Sequence, residues 1–492
     1  MSKETLRGNA SERYLSSLCQ QSFLRLWSYP HIYRDQRGGG TQGKEVCDLL
    51  AIFGNHIFIF SDKSCEFPNS GDLNLDWARW YRRAILKSAD QVLGAERWIR
   101  NYPDRLFLDA DCTKPFPIRI PPQDVAIYHR IVVAHGAGPH CRNAMGGSGS
   151  LMLMPTERGP LPPFAIGAIS PDDHYIHVID DFTLDVVLNT LDTAPDVAQY
   201  LERKEAFIES GRLAGVAGEE ELLAYYLQRT DAEGNHSFEI DQSLDFVVID
   251  EGLWERFSNH PDRQAQVRAD KISYAWDSLI DKFAEHTLSG TQYYSSGGSI
   301  SDQEEGFRII ASENRTRRRL LSESLSEVLS RGDTQLRAAR VHGPFSAGDP
   351  YYVFLSLQWP PDKTEEDYRE VRRGLLESYC LVVRSKFADA DRIIGIATEP
   401  LTVRGRSEDF AYFDGTDWSE VSQIEALRLQ KELGILEVTA DFNGVVSEYP
   451  SWLDPKLMAG RYRNQPCPCG SGRKLKKCHG VGKSTPVQSP LP

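Results

Sequence analysis

Glu45-Val46-Cys47-Asp48-Leu49-Leu50-Ala51-Ile52-Phe53-Gly54-Asn55-His56-Ile57-Phe58-Ile59-Phe60-Ser61-Asp62-Lys63 contains two apolar runs, from Cys47 to Phe60, broken at Gly54-Asn55-His56. Strand-forming runs joined by so short a break predict a β-hairpin. Glu45 and Asp48 stand at the start of the first strand, and Ser61-Asp62-Lys63 end the second. Pairing therefore carries carboxylates and a lysine to one end of the hairpin. By strand alternation Ser61 and Lys63 share a face, and Asp62 faces away unless the strand has ended there.

Working outward, Leu15 to Trp27 has the pattern of an amphipathic helix, and Ser28 to Thr41, rich in Gly, Pro and Arg, reads as a loop. After the hairpin, a helical pattern runs from Asp76 through Trp80, Ile85, Val92 and Trp98 to Ile99. Trp80 and Ile85 fit a buried stripe, and Arg79, Arg82 and Arg83 fit its solvated flank. Residues 131–134 and 150–154 predict further strands. The middle of the chain starts with a strand over 175–179 and continues as helices over 184–191, 197–210, 219–228, 253–257, 272–286 and 304–331. From Val341 the period shifts again. Strands are expected at 351–357, 381–383 and 393–396, with helices at 365–376 and 420–433.

The chain has 492 residues, enough for about three domains by the usual size prior. No run approaches the ~18 uninterrupted apolar residues that span a bilayer. The first residues lack the apolar segment of a secretory leader, so a cytoplasmic protein is expected. Six of the nine cysteines are scattered singly, which fits reduced thiols rather than a disulfide framework. The formal charge is −14, yet Arg461, Arg463, Arg473, Lys474, Lys476, Lys477 and Lys483 give the end of the chain +7 and leave −21 on the rest.

Cys467-Pro468-Cys469-Gly470-Ser471-Gly472, followed by Lys476-Lys477-Cys478-His479, places four soft ligands within thirteen residues. Three thiolates and an imidazole satisfy a closed tetrahedral Zn²⁺ shell, and so short a segment would draw its folding energy from the metal. The stretch from Asn464 to Gly480 closely resembles the SEC-C motif, which occurs at the C-terminus of the protein-export motor ATPase and is appended to many unrelated bacterial proteins. The zinc is expected to be structural, with Cys467, Cys469, Cys478 and His479 filling every position. Its basic surface is suited to phosphates or to an acidic protein partner.

The hairpin also resembles the PD-(D/E)XK nuclease superfamily, in layout its nuclease-related and RecB-like branches, over residues 40–100. The resemblance implies Glu45 as the pre-strand acid, Asp48 as the metal aspartate, Lys63 as the catalytic lysine and Gln91 as the glutamine of the following helix. Mg²⁺ or Mn²⁺ is the implied ion. Ser61 departs from the pattern, because an acid is expected two residues before the lysine; Asp62 or Glu66 would have to compensate.

Other patterns read as ordinary structure. Gly38 to Lys44 has P-loop spacing, but Glu45 replaces the required hydroxyl residue. His174 and His177, beside Asp180-Asp181, read as solvated strand-end groups, and His129 and His135 as core or turn residues. The basic run at Arg315, Arg317, Arg318 and Arg319 reads as a solvated or ion-paired helix face.

The expectation is a multidomain α/β protein: a restriction-endonuclease-like α/β domain over 1–165, a mostly helical domain over 166–335, a second α/β domain over 336–455, a SEC-C-like zinc module over 460–482 and a disordered tail over 483–492. The resemblances imply a metal-dependent nuclease acting on nucleic acid, or alternatively a non-enzymatic adaptor whose zinc module recruits a partner. No membrane association is expected.

Overall fold

The computed structural model describes residues 8–36, 42–155, 161–169, 175–241, 243–291, 300–437, 447–450, 463–465 and 473–478. The chain divides into two compact units, 1–268 with 449–492, and 269–448. The described residues are mixed α/β throughout, with three sheets among them.

In chain order the first unit contains α1 (Ala10–Trp27), β1 (Ser28–Arg34), β2 (Lys44–Phe53), β3 (His56–Ser64), α2 (Leu73–Tyr81), a π-helical turn (Arg82–Leu86), α3 (Lys87–Asn101), β4 (Ile127–His135), α4 (Gly138–Met145), β5 (Met152–Leu153), β6 (Ala165–Ile166), β7 (Ile176–Asp180), α5 (Asp181–Thr190), α6 (Ala194–Glu209), β8 (Leu213–Val216), α7 (Glu219–Leu227), β9 (Val247–Ile249), α8 (Leu253–Ser258) and α9 (Pro261–Ala269). Its main sheet has the order β1-β2-β3-β4-β7. The first three strands form an antiparallel meander, and β4 and β7 add in parallel. A small sheet, β6-β5-β8-β9, lies elsewhere in the same unit.

The hairpin forms as expected. Phe53 pairs with His56 across Gly54-Asn55, and Gly54 has φ +58. A glycine with positive φ at the first central position gives the type II′ turn that matches strand twist. β1 was not expected from the sequence, where Ser28 to Thr41 reads as a loop. It is an edge strand, where Pro30 forfeits no interior ladder bond, and its register shifts between Ile32 and Tyr33.

Strand parity assigns the faces. Phe23 of α1 packs on Phe58 and Phe60, with ring centroids 4.6 and 6.3 Å apart, so even residues of β3 face α1. Odd residues face α3, where Ser61 meets Gln91. The helix predicted from Asp76 to Ile99 is one run interrupted by the π turn. Trp80 is fully buried, and its indole N–H reaches the carbonyls of Cys65 and His135 at 3.3 and 3.1 Å. Those contacts pin α2 to the ends of β3 and β4. Glu96 of α3 forms a two-pronged pair with Arg130 of β4 at 2.5 and 2.7 Å, fully within the protein, which fixes the rest of the helix over the sheet.

The second unit contains a 3₁₀ turn (Asp270–Ser273), α10 (Tyr274–Ser289), α11 (Ile300–Ala311), α12 (Arg315–Gly332), β10 (Arg337–His342), β11 (Tyr351–Leu357), α13 (Glu365–Lys386), β12 (Arg392–Thr398), β13 (Glu408–Asp414) and α14 (Glu420–Leu433). Its sheet runs β10-β11-β12-β13, with β11 and β12 parallel and the outer pairs antiparallel. Two expectations are corrected here. The helix predicted over 304–331 is two helices, because Asn314 caps α12 by accepting the Arg317 amide. Leu381-Val382-Val383, predicted as a strand, lies inside α13; Cys380, Val382 and Val383 are buried against the sheet, so tertiary packing overrides the β-branched preference.

The arginine run of α12 is ion-paired, with Arg317 part-exposed beside Glu313 and Asp349 and the other three buried. Arg318 and Arg315 share Asp277 at 2.7 and 2.8 Å, and Arg319 meets Asp270 at 2.7 Å, all buried. Arg372 of α13 is wholly buried between Glu399 and Asp409, at 2.8 and 2.6 Å. Cys19, Cys47, Cys65, Cys112, Cys141 and Cys380 are free thiols. Among the described residues no helix is long and apolar enough to cross a membrane.

Candidate functional site

The five residues singled out in and after the hairpin separate onto two faces of the main sheet. Asp48 is the neighbour of Leu49, which pairs with Phe60, so Asp48 continues the register onto the face of Ser61. Gln91 of α3 joins them: Ser61 Oγ donates to Gln91 Oε1 at 3.1 Å, and Gln91 Nε2 donates to Asp48 Oδ1 at 3.3 Å. Asp48 Oδ2 accepts the Asp62 backbone N–H at 2.6 Å. Lys63, two residues after Ser61, shares this face by alternation, and its charge favours the Asp48 carboxylate.

Burial nonetheless dominates at Asp48. Loss of hydration pushes its carboxyl up to about 6, against the opposing pull of the Asp62 amide and Lys63, while Glu45 and Glu12 add to the rise. Asp48 is thus a buried acid whose negative charge is incompletely compensated.

Asp62 occupies the other face, and Glu45 lies past the register shift that skips Val46, where alternation from Asp48 no longer applies. Glu45 pairs in register with Tyr33, and its Oε1 lies 2.9 Å from His31 Nδ1. Asp62 Oδ1 lies 2.8 Å from His135 Nε2, with the ring N–H poorly aligned for a hydrogen bond. On its other side His135 Nδ1 lies 2.5 Å from Asp181 Oδ1. Burial disfavours the charged ring, but the Asp181 and Asp62 carboxylates outweigh it and hold His135 up to about 9. Asp62 is therefore committed to His135 and supplies only its backbone to the Asp48 face. Glu66 is exposed.

Several residues read as bland in the sequence are brought together. His129 on β4 and His177 on β7 are fully buried, which corrects the reading of His177 as a solvated strand-end group. Asp180 is likewise buried and caps α5. His174 lies outside the described residues. Nothing in the sequence marked Glu205 as a partner for these histidines. The spacing of residues on separate parallel strands and a helix carries no local signal.

At the C-terminal end, the Leu475 N–H donates to the Gln465 carbonyl at 2.9 Å, and Leu475 to Cys478 form a short helix. This bond joins the segment just before Cys467 to the helix that carries Cys478. The side chains of Cys467, Cys469, Cys478 and His479 lie outside the described residues, as does the tail over 483–492.

A zinc-binding module is the class of element that this segment defines. Residues 463–480 match the SEC-C motif. The segment is also similar to the protein translocase subunit SecA of Bifidobacterium longum subsp. infantis, 59% identical over 33 residues, which is 7% of this chain and 3% of that protein. SecA of B. longum strain DJO10A is 59% identical over 29 residues, 6% of this chain and 3% of its own length. The chain thus spans about 3% of the length of the curated relatives it matches. No solved structure matches the chain.

Proposed function

We propose that the first unit is a nuclease-like domain that cleaves phosphodiesters with a divalent cation, and that the SEC-C module docks the protein to nucleic acid or to an acidic partner. The observation that carries this reading is the joining of Asp48, Ser61 and Gln91 on the face shared with Lys63. It rests on a helix followed by an antiparallel three-stranded meander, a second helix and a parallel strand.

The donor set fits a hard cation such as Mg²⁺, which is commonly held by one or two carboxylates together with water and substrate phosphate oxygens. Asp48 supplies the carboxylate, and its incompletely compensated charge favours a cation beside it. Ser61 Oγ and Gln91 Oε1 are neutral oxygens on the same face. When bound, the cation would polarise the phosphate. Gln91 orients Asp48 through one oxygen, the Asp62 amide holds the other, and Lys63 neutralises phosphate charge. Ser61 in place of an acid supports weak metal affinity, so Mn²⁺ and millimolar Mg²⁺ are the conditions of choice.

The test is cleavage of DNA and RNA by the purified chain with Mg²⁺ or Mn²⁺. Asp48→Asn and Lys63→Met are expected to lower the rate at least a hundredfold with unchanged melting behaviour. If no divalent ion supports cleavage and wild type binds nucleic acid no better than Asp48→Asn, the adaptor reading replaces this one. The acidic body, −21 outside the basic end, is the feature that favours the adaptor.

A further inference from the structure

The face of the main sheet away from Asp48 carries a second cluster. His129 of β4 follows Phe58 in register, and His177 of β7 pairs with Ile131, two residues along from His129. Both imidazoles therefore project from adjacent parallel strands to the same side. There Glu205 of α6 meets them. Its Oε1 lies 2.8 Å from His177 Nε2 and 4.0 Å from His129 Nδ1, and the three ligand atoms lie within 4.8 Å of one another.

We propose that His129 Nδ1, His177 Nε2 and the Glu205 carboxylate bind a Zn²⁺ ion, with a fourth position open toward solvent beside Glu205.

Four observations support the site. First, His129 Nδ1 is buried without a hydrogen-bond partner. The other nitrogen of the same ring is engaged, because His129 Nε2 lies 3.1 Å from His56 Nδ1. If Nε2 carries the proton, the Nδ1 lone pair faces the Glu205 oxygen with nothing positive between them. If Nδ1 carries it, the nearest acceptor at 4.0 Å is beyond hydrogen-bond reach. A cation resolves both cases, and the His56 contact is the kind of outer partner that orients a metal-bound imidazole.

Second, His177 Nε2 and His129 Nδ1 face the same Glu205 oxygen, so both rings offer one nitrogen toward a single point. With Nε2 facing the ion, His177 keeps its proton on Nδ1. Third, the spacing is right. Zn–N bonds of about 2.0–2.1 Å in a tetrahedron place ligand atoms about 3.3 Å apart, and 2.8 and 4.0 Å lie on either side of that value. Fourth, the ion has a way in. The histidine side chains are shut off at 1% and 0% exposure, but Glu205 is 24% exposed, and Glu202, the neighbour of His56, is 43% exposed. Two imidazoles and one carboxylate with an open position form a donor set that Zn²⁺ uses in catalytic centres.

The experiment uses the full-length chain carrying Cys467→Ser and Cys469→Ser, which removes the SEC-C zinc from the count. Titration with Zn²⁺ is expected to show one bound equivalent and a rise in melting temperature. Adding Glu205→Gln, a near-isosteric change at a part-exposed position, is expected to weaken binding at least tenfold and abolish the rise. Co²⁺ in the same protein is expected to give visible absorption without a thiolate charge-transfer band. The proposal is overturned if the cysteine-substituted chain takes up no Zn²⁺, or if Glu205→Gln, folded by circular dichroism, binds it equally. Neither result depends on whether the Asp48 face cleaves nucleic acid.

Discussion

Asp48 and Asp62 are joined by a 2.6 Å bond from the backbone N–H of one to the carboxylate of the other, while the Asp62 side chain lies across the sheet against His135. One aspartate thus serves both faces: its main chain positions an acid on the first, and its carboxylate anchors a cation on the second. The position where an acid would join Asp48 is Ser61, fully buried beside Gln91.

Ser61→Asp is therefore expected to tighten divalent binding by about tenfold or more, since a second carboxylate beside Asp48 raises the local negative charge. The same pair should lower the metal-free melting temperature, and Mn²⁺ should restore it. Calorimetric titration and thermal melting check both effects. Equal affinity in wild type and variant would show that Asp48 is not at a cation site.

His135 makes stability depend on pH in a defined direction. Its folded value of about 9 lies above the ordinary 6.5 of an unfolded chain, so its contribution is full below about pH 6.5 and fades as pH rises through 9. The upper bound is about 3 kcal/mol. His135→Asn should melt well below wild type at pH 6, and the gap should narrow steadily toward pH 9.5. A gap that stays constant with pH would refute the charged state of the ring.

Arg372 in the second unit is buried with two carboxylates, Glu399 and Asp409. Arg372→Met leaves Glu399 without its cation and Asp409 with Arg369 alone, and should destabilise that unit by about 3–5 kcal/mol. Adding Glu399→Gln and Asp409→Asn should recover much of the loss. Denaturant unfolding of the three proteins measures this, and a single variant as stable as wild type would remove Arg372 from the framework of the fold.

Zinc in the SEC-C module should depend on Cys467, Cys469, Cys478 and His479, so Cys467→Ser with Cys469→Ser should lower bound zinc by one equivalent per chain. A chain ending near Pro455 should keep the main cooperative melting transition, because so short a segment is expected to draw its order from metal rather than from a shared core. Loss of that transition would show that the end of the chain is part of the first unit's core.

Local pattern revealed much of this architecture. The Gly54-Asn55 turn, the strand Tyr351–Leu357 and the helix Glu420–Leu433 are all legible because period and turn chemistry agree there. Ser28–Arg34 was obscured by Pro30, which the strand tolerates because it is an edge, and by the glycine-rich sequence that follows. Leu381-Val382-Val383 has strand composition, and only burial of its helical face explains α13. Alternation separates Ser61 from Asp62 in advance, whereas the register shift that skips Val46 breaks the parity between Asp48 and Glu45, and no local pattern announces it. His129, His177 and Glu205 meet through a parallel register and a helix packing that no window of sequence contains.

The parallel pairing of β3 with β4 has a consequence for the order in which the molecule comes together. β1, β2 and β3 are consecutive and close through short connections, but Ser64 and Ile127, the end of β3 and the start of β4, are separated by the whole α2 and α3 crossover. Contacts distant in sequence form late, because the intervening chain must first give up its freedom. The Asp48–Ser61 strand pair belongs to the early meander, whereas His129 and His177 reach each other only when β4 and β7 dock. Pulsed hydrogen exchange should show amide protection in β2 and β3 before β4 and β7. A nascent chain released at about residue 110 would already contain every member of the Asp48 cluster and none of His129, His177 and Glu205.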